Sequence, residues 1–382
     1  MKIIKLFSIF MTILIFAMNI NISALSIKNV DFDLNVKSAV LMDANTGTVI
    51  YEKNMNDALP PASVTKIMTL LLVFEAINSG TLNYDDILTV SENASSMGGS
   101  QVYLEPGENM NVDELLKCVI IASANDAALT LAERVAGSEE AFVSMMNSKA
   151  KELGMKNSNF ENVTGLDDET INHTTSAYDI ALMSRELLKH KDVQKYTTIW
   201  MDTIRNGEFG LSNTNRLIKF YKGITGLKTG YTSTAGFCIS ASAKRDNMHL
   251  IAVIMGAPTS NDRNTAATRL LDYGFANYCI YSDEKQECGT VKVLKGKVDE
   301  VRVGCDGIDL LENLGNSTKI QKEIIIYDNA IAPVRVGDEL GKIVYKLDNE
   351  ILKESKIVSL ESCEKINYFE FFLKTVKKYF FG

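Results

Sequence analysis

The sequence predicts an α+β molecule in two parts. An antiparallel sheet is assembled from both ends of a long N-terminal segment around a block of helices. A small all-β domain and a terminal amphipathic helix follow it. Three observations lead there. Two apolar strand-like stretches precede the helical block and three more follow it; from about Asp283 the texture turns to short alternating strands; and the last residues repeat at helical spacing. A chain of 382 residues is long enough for two cores of this kind.

Residues Ser38 to Lys53 place two apolar stretches around Asn45-Thr46-Gly47, the pattern of a hairpin. Ser63 to Asn78 has helical length and stops at Gly80. Helices are expected at Val112–Ala122 and Asp126–Ala136, broken at Ser123-Ala124-Asn125, and again at Glu139–Leu153 and Ala177–His190. Strands return at Ile224–Ser233, Ala235–Lys244 and Met248–Ala257, and a helix over Asp262–Tyr278 closes the region. Beyond it, TVKVLKG, VDEVRVG, KEIIIYD and GKIVYKL read as short strands. In the tail, Tyr368, Phe369, Phe372, Leu373, Val376, Tyr379 and Phe380 share one helical face, with Glu370, Lys374, Lys377 and Lys378 grouped elsewhere.

The first residues point to a compartment. Lys2 and Lys5 precede an apolar run from Leu6 to Ala17, and Ile22-Ser23-Ala24 supplies small residues for a cut, which is the pattern of a secretory leader. Cleavage is expected after Ala24, with an uncut anchor as the alternative. The expected divisions are therefore a leader over 1–24, a catalytic domain over 25–282, a β-rich domain over 283–362 and an anchor helix over 363–382. A net charge of -8 argues against nucleic acid as partner, because phosphate binding needs a basic surface. The six cysteines are scattered, with no CxxC pair; neither a zinc site nor a compact disulfide framework is read, although one or two bridges stay open.

The chemistry begins at PPASVTKIMTLLL. Ser63 and Lys66 stand one helical turn apart, so their side chains rise from the same face. A serine needs a base to attack a carbonyl, and a lysine in a dry core gives up its proton readily because burial disfavours the charged form. Alone, the pair also reads as a capping serine beside a solvated lysine. Ser123-Ala124-Asn125 offers a hydroxyl and an amide from a loop, or an ordinary inter-helix turn. Lys228-Thr229-Gly230 offers an ammonium and a hydroxyl for a carboxylate, with a glycine that lets another backbone approach. The three histidines, His173, His190 and His249, show no metal-ligand spacing, and Ser63 has no GxSxG elbow, so a zinc peptidase and a Ser-His-Asp hydrolase are disfavoured.

Together, SxxK, SxN and KTG in this order resemble the motif triplet of penicillin-recognising serine enzymes. The chain resembles the low-molecular-mass penicillin-binding proteins that act as serine-type D-alanyl-D-alanine carboxypeptidases. Further matching stretches are LMDANTGTVIYEKN, FENVTGLDDE, HTTSAYDIALMS and GLKTGYTSTAGFCISASA. The resemblance implies a serine β-lactamase/DD-peptidase-like catalytic domain that trims the terminal D-alanine from peptidoglycan stem peptides in cell wall biogenesis. It implies Ser63 as nucleophile, Lys66 as base and Ser123 as proton relay. Asn125, Lys228, Thr229, Gly230 and Tyr231 would contact substrate, with the N–H groups of Ser63 and Tyr231 facing the oxyanion. Arg263 falls where the family often carries a basic residue near the substrate carboxylate, or is a surface arginine. His173 is read as structural. No metal or organic cofactor is implied, and β-lactams are expected as inhibitors. The β-domain is expected as a spacer or a binding module, and the tail helix on the outer membrane surface. Two alternatives stay open: a weakly catalytic penicillin-binding scaffold, and a class A β-lactamase, for which Glu161 is the one candidate deacylation carboxylate.

Overall fold

The structure is a computed structural model that describes residues 32–167 and 170–381. The expected leader, Met1 to Ala24, lies outside the described residues. The described residues form two compact units, the first ending at Tyr278 and the second beginning at Cys279.

In the first unit, β1 (Ser38–Asp43) and β2 (Val49–Lys53) form the expected hairpin. The Asp43 carboxylate accepts the Thr46 N–H at 2.7 Å, and Gly47 takes φ +77°, a left-handed angle that glycine adopts without penalty. The helical block follows: α1 (Lys66–Asn78), α2 (Val112–Lys117), α3 (Asn125–Ala136), α4 (Glu139–Glu152) and α5 (Ala177–Leu187). Three strands return as β3 (Ile224–Thr232), β4 (Gly236–Arg245) and β5 (Met248–Ala257), and α6 (Ser260–Asn277) closes the unit. Side-chain oxygens cap several of these helices: Ser138 for α4, Ser176 for α5 and Thr259 for α6 each accept a first-turn N–H.

The sheet order is β2-β1-β5-β4-β3, antiparallel throughout, so both ends of the segment meet in one sheet. Its central strands are apolar on both faces because both are covered. Leu41 and Leu250 meet Gly274 of α6, where any side chain would collide with them. Val40, Met42, Ile251 and Val253 face the opposite way, into the core built with the helical block. Strand β3 is left at the sheet's edge.

Two departures from the expected elements matter for function. The segment over Ser63–Asn78 is not one α-helix: Ala62–Thr65 forms a 3-10 turn, with Ala62 at φ +50°, and α1 begins at Lys66. The turn is clamped on both sides. A side chain on Gly165 would come within 1.9 Å of the Ala62 carbonyl, and one on Gly230 within 2.9 Å of the Pro61 carbonyl. Likewise Val112–Ala122 is α-helical only to Lys117; Cys118–Ala122 widens into a π turn that ends on Ser123 at φ +64°. Wide turns of this kind commonly mark functional sites.

The second unit is a six-stranded sheet. It contains β6 (Gln286–Leu294), β7 (Glu300–Cys305), β8 (Gln321–Ile326), β9 (Asn329–Ile331), β10 (Glu339–Leu347) and β11 (Glu350–Ser359), in the order β8-β10-β11-β7-β6-β9. Its core includes Val291, Val301, Val303, Ile343, Tyr345 and Ile357. Strand β11 went unread in the sequence. It pairs with β10 across Asp348-Asn349, both at positive φ, the two-residue hairpin turn these residue types favour. The tail forms α7 (Tyr368–Phe381).

Candidate active site

The 3-10 turn, the π turn and the edge strand β3 bring the three motifs together. Lys66 is fully buried, and its Nζ lies 3.0 Å from Ser63 Oγ, 2.5 Å from Asn125 Oδ1 and 2.9 Å from the Thr164 carbonyl oxygen. Burial first, then the nearby positive charge of Lys228, holds the Lys66 pKa well below the ordinary lysine range, against a smaller opposing pull from Asp126. All three partners are oxygens that can accept from the nitrogen, so they fit either protonation state. It is the lowered pKa that favours the neutral amine, to whose lone pair the Ser63 hydroxyl can donate. No carboxylate is among these partners.

Lys228 is the second buried lysine. Its Nζ donates to Ser123 Oγ and to the Thr229 carbonyl oxygen, each at 2.9 Å, and burial followed by the Arg263 charge brings its pKa down to about 7. Ser123 reaches it because the left-handed backbone at the end of the π turn swings the residue out of the helix path. Asn125 opens α3 and is pinned on three sides: its Nδ2 donates to the Gly98 carbonyl at 2.6 Å, its backbone N–H to the Ser100 carbonyl at 2.7 Å, and its Oδ1 accepts from Lys66. Thr229 Oγ1 donates to Thr214 Oγ1 at 2.7 Å. Gly230 lets β3 lie against the nucleophile turn, since a Cβ there would stand 2.9 Å from the Ser63 nitrogen.

Tyr231 is 57% exposed and its ring lies 4.3 Å from that of Phe237, centroid to centroid. Arg263 is not a surface arginine. It is buried, its guanidinium lies 5.9 Å from the Phe237 ring centre, its Nε donates to Asn264 Oδ1 at 3.1 Å, and it forms no ion pair among the described residues. Burial lowers its pKa to about 10. A buried guanidinium without a carboxylate leaves positive potential for an anion.

Residues 161–167 and 170–173 flank the nucleophile turn, with the Thr164 carbonyl on Lys66 and Gly165 against Ala62, and His173 ties them down. The ring's Nδ1 accepts the Glu161 N–H at 3.0 Å, so its Nε2 carries the proton and donates to Thr65 Oγ1 at 2.8 Å. Burial lowers this pKa to about 4, so the ring stays neutral at ordinary pH and serves as a structural tie, as read from the sequence. The Glu161 carboxylate accepts the N–H groups of Ile171 at 2.8 Å and Asn172 at 3.1 Å. It holds the loop's return.

Ser63, Lys66, Asn125, Ser123, Lys228, Thr229 and Gly230 are brought together by these contacts. Tyr231 follows Gly230 on β3, and the Arg263 charge acts on Lys228, whereas His190 and His249 bond Asn78 and Thr225 elsewhere. The sequence reading missed Thr214, the Thr164 and Gly98 carbonyls, and Asp126, whose carboxylate receives the N–H groups of Val102 and Leu104, each at 3.1 Å. The polar run Asn213-Thr214-Asn215 was a signal for the first; backbone carbonyls leave none in side-chain identity.

The family model for D-alanyl-D-alanine carboxypeptidases (peptidase family S11) matches residues 17–259, and that for the C-terminal domain of penicillin-binding protein 5 matches residues 275–365. Over 347 residues the chain is 47% identical to the D-alanyl-D-alanine carboxypeptidase DacF of Bacillus subtilis, covering 89% of each. The fold is similar to penicillin-binding protein 5 of Haemophilus influenzae, with TM-score 0.79 and 29% identity over 88% of this chain and 99% of that one. It is also similar to penicillin-binding protein D2 of Listeria monocytogenes in its ampicillin-bound form, with TM-score 0.59 and 30% identity over 64% of this chain and 99% of that one. With the motif cluster assembled and more than half the chain matched, the chain belongs to the serine-type D-alanyl-D-alanine carboxypeptidases, the low-molecular-mass penicillin-binding proteins of cell wall synthesis.

Proposed function

We propose that Ser63 is the residue acylated in this carboxypeptidase and that Lys66 is its base. One observation carries the assignment: a fully buried lysine, its pKa held low by that burial, with its nitrogen 3.0 Å from Ser63 Oγ. In this reading Ser63 Oγ attacks the carbonyl between the two terminal D-alanines and its proton passes to Lys66. The oxyanion lies against the N–H groups of Ser63 and Tyr231. The C–N bond breaks as the departing D-alanine nitrogen takes a proton from Ser123, which Lys228 holds and to which Lys66 passes on the proton it took from Ser63. Water then opens the ester. Asn125 holds the substrate amide, while Thr229, Lys228 and Arg263 face the terminal carboxylate, and Gly230 leaves room for the substrate backbone.

The Glu161 carboxylate, tied to the Ile171 and Asn172 N–H groups and with no hydrogen bond to Ser63 or Lys66, weighs against β-lactamase chemistry, in which a glutamate must hold the deacylating water. Exported stem peptides as substrate, and β-lactams as mimics that acylate Ser63, follow from the same reading. The second unit serves as a spacer, and α7 rests on the outer membrane surface. Among the described residues no helix is long and apolar enough to cross a membrane. Tyr368, Phe369, Phe372 and Phe380 of α7 are nonetheless 63% exposed or more. Lys374, grouped with the polar residues of the tail, pairs with Asp299 at 2.6 Å within its own unit. Lys377 and Lys378, expected beside it, have side chains outside the described residues. The functional test is release of D-alanine from an acylated peptide ending in D-Ala-D-Ala. The purified protein should release one equivalent per peptide and Ser63→Ala should release none; normal release by that variant removes the assignment.

A further inference from the structure

The two thiols of the second unit's β6–β7 pair meet at a defect in the ladder. Strand β6 pairs with β7 through Glu287↔Gly304 and Gly289↔Val303, so Cys288 is the extra residue of a bulge and has no partner of its own. The bulge turns its side chain toward the end of β7, and Cys288 Sγ lies 3.7 Å from Cys305 Sγ. Cys305 is buried in the unit's core, whereas Cys288 is half-exposed. The other four cysteines have no sulfur partner among the described contacts. Cys279 and Cys363 face the carbonyls of Asn313 and Val298, Cys238 faces that of Ala235, and Cys118 is buried in the core of the first unit.

We propose that Cys288 and Cys305 form a disulfide, a modification site that staples β6 to β7 across the bulge. The sulfurs must close from 3.7 Å to a bond of about 2.05 Å, a shift within reach of side-chain torsions on two strands already paired. The oxidant is a small-molecule or protein disulfide, RSSR. The Cys288 thiolate, the more accessible of the two, attacks one sulfur of RSSR and expels RS⁻, giving a mixed disulfide. The Cys305 thiolate then attacks the Cys288 sulfur and expels the second RS⁻. Both cysteines are oxidised, RSSR is reduced to two RSH, and the two cysteine protons end on those thiols. Burial, followed by the hydrogen bond to Cys305, holds the Cys288 thiol above the ordinary range, so exchange is slow at neutral pH and quickens as pH rises. The inference rests on the export reading only for where such an oxidant is met, since disulfides persist outside the cytoplasm.

The test uses the purified full chain equilibrated in oxidised and reduced glutathione, trapped with an alkylating agent at acidic pH and digested with trypsin without reduction. Cleavage yields peptides 286–292 and 303–319, which carry Cys288 and Cys305 respectively. The proposal expects these two joined at a mass about 2 Da below their sum by loss of two hydrogens, titratable thiols falling from six to four, and thermal unfolding of the second unit at lower temperature after reduction. Cys288→Ser should remove both the crosslink and the reduction-dependent shift while penicillin acylation stays intact. Six free thiols after equilibration, a stable glutathione adduct on Cys288, or a different linked pair would each overturn it. None of these outcomes depends on whether Ser63 is the nucleophile, so this inference and the catalytic assignment fail separately.

Discussion

At the scale of single residues, the account turns on two buried lysines with different tasks. Lys66 must be neutral to take the Ser63 proton, and its depressed pKa makes acylation rise with pH only until that depressed value is passed. Lys228 must be charged to meet a carboxylate, and at about 7 it loses that charge just above neutrality in the free enzyme. The expected kcat/KM profile for peptide therefore has an acid limb from Lys66 and an alkaline limb near 7 from Lys228. Lys228→Arg should move the alkaline limb upward; a profile still climbing at pH 10 would mean an ordinary, solvated Lys66. Lys66→Ala should slow acylation by about 10²–10⁴-fold with near-native circular dichroism, the usual loss for a general base. Glu161→Gln should leave the lifetime of a penicillin adduct unchanged, because that carboxylate binds backbone N–H groups. A markedly longer-lived adduct would return the β-lactamase reading.

Elements explain why the motifs meet. Gly230→Val would put side-chain atoms against the Pro61 carbonyl and the Ser63 nitrogen, so the edge strand must draw back from the nucleophile turn. Misplacement of this order costs roughly 10²-fold in rate, and because β3 is an edge strand the sheet should survive, which stopped-flow acylation alongside thermal unfolding can separate. Most of the strands and helices were legible, since apolar periodicity marks them, although β11 was not; Met248–Ala257 matches its expected bounds residue for residue. The two turns that place Ser63 and Ser123 were not legible. Their sequences, ASVT and CVIIA, keep a helical pattern, and the departures come from contacts distant in sequence, such as Gly165 against Ala62. Arg263 was ambiguous for the same reason: its helix shows the residue, but only the fold shows that the side chain is buried and forms no ion pair among the described residues.

At the scale of the whole molecule, the proposed spacer and anchor roles leave the second unit and tail outside the chemistry. Helix α7 has 14 residues, about 21 Å at 1.5 Å each, too short for a hydrocarbon core of ~30 Å. Truncation after Cys363 should shift the mature protein from the membrane pellet to the supernatant while keeping full penicillin acylation, as fractionation with a labelled β-lactam would read. A truncated protein that stays in the pellet after leader removal would place the anchor elsewhere. The aromatic face of the tail was visible in its spacing, whereas the capture of Lys374 by Asp299 was not, because it joins residues far apart in the chain.

The central claim is that Ser63, activated by a neutral Lys66, carries the acyl group. Peptide mapping of the protein after brief exposure to benzylpenicillin tests it most directly. The account predicts one equivalent of penicilloyl adduct, located on Ser63, and none in Ser63→Ala; an adduct on another residue, or a fully labelled Ser63→Ala, would contradict it.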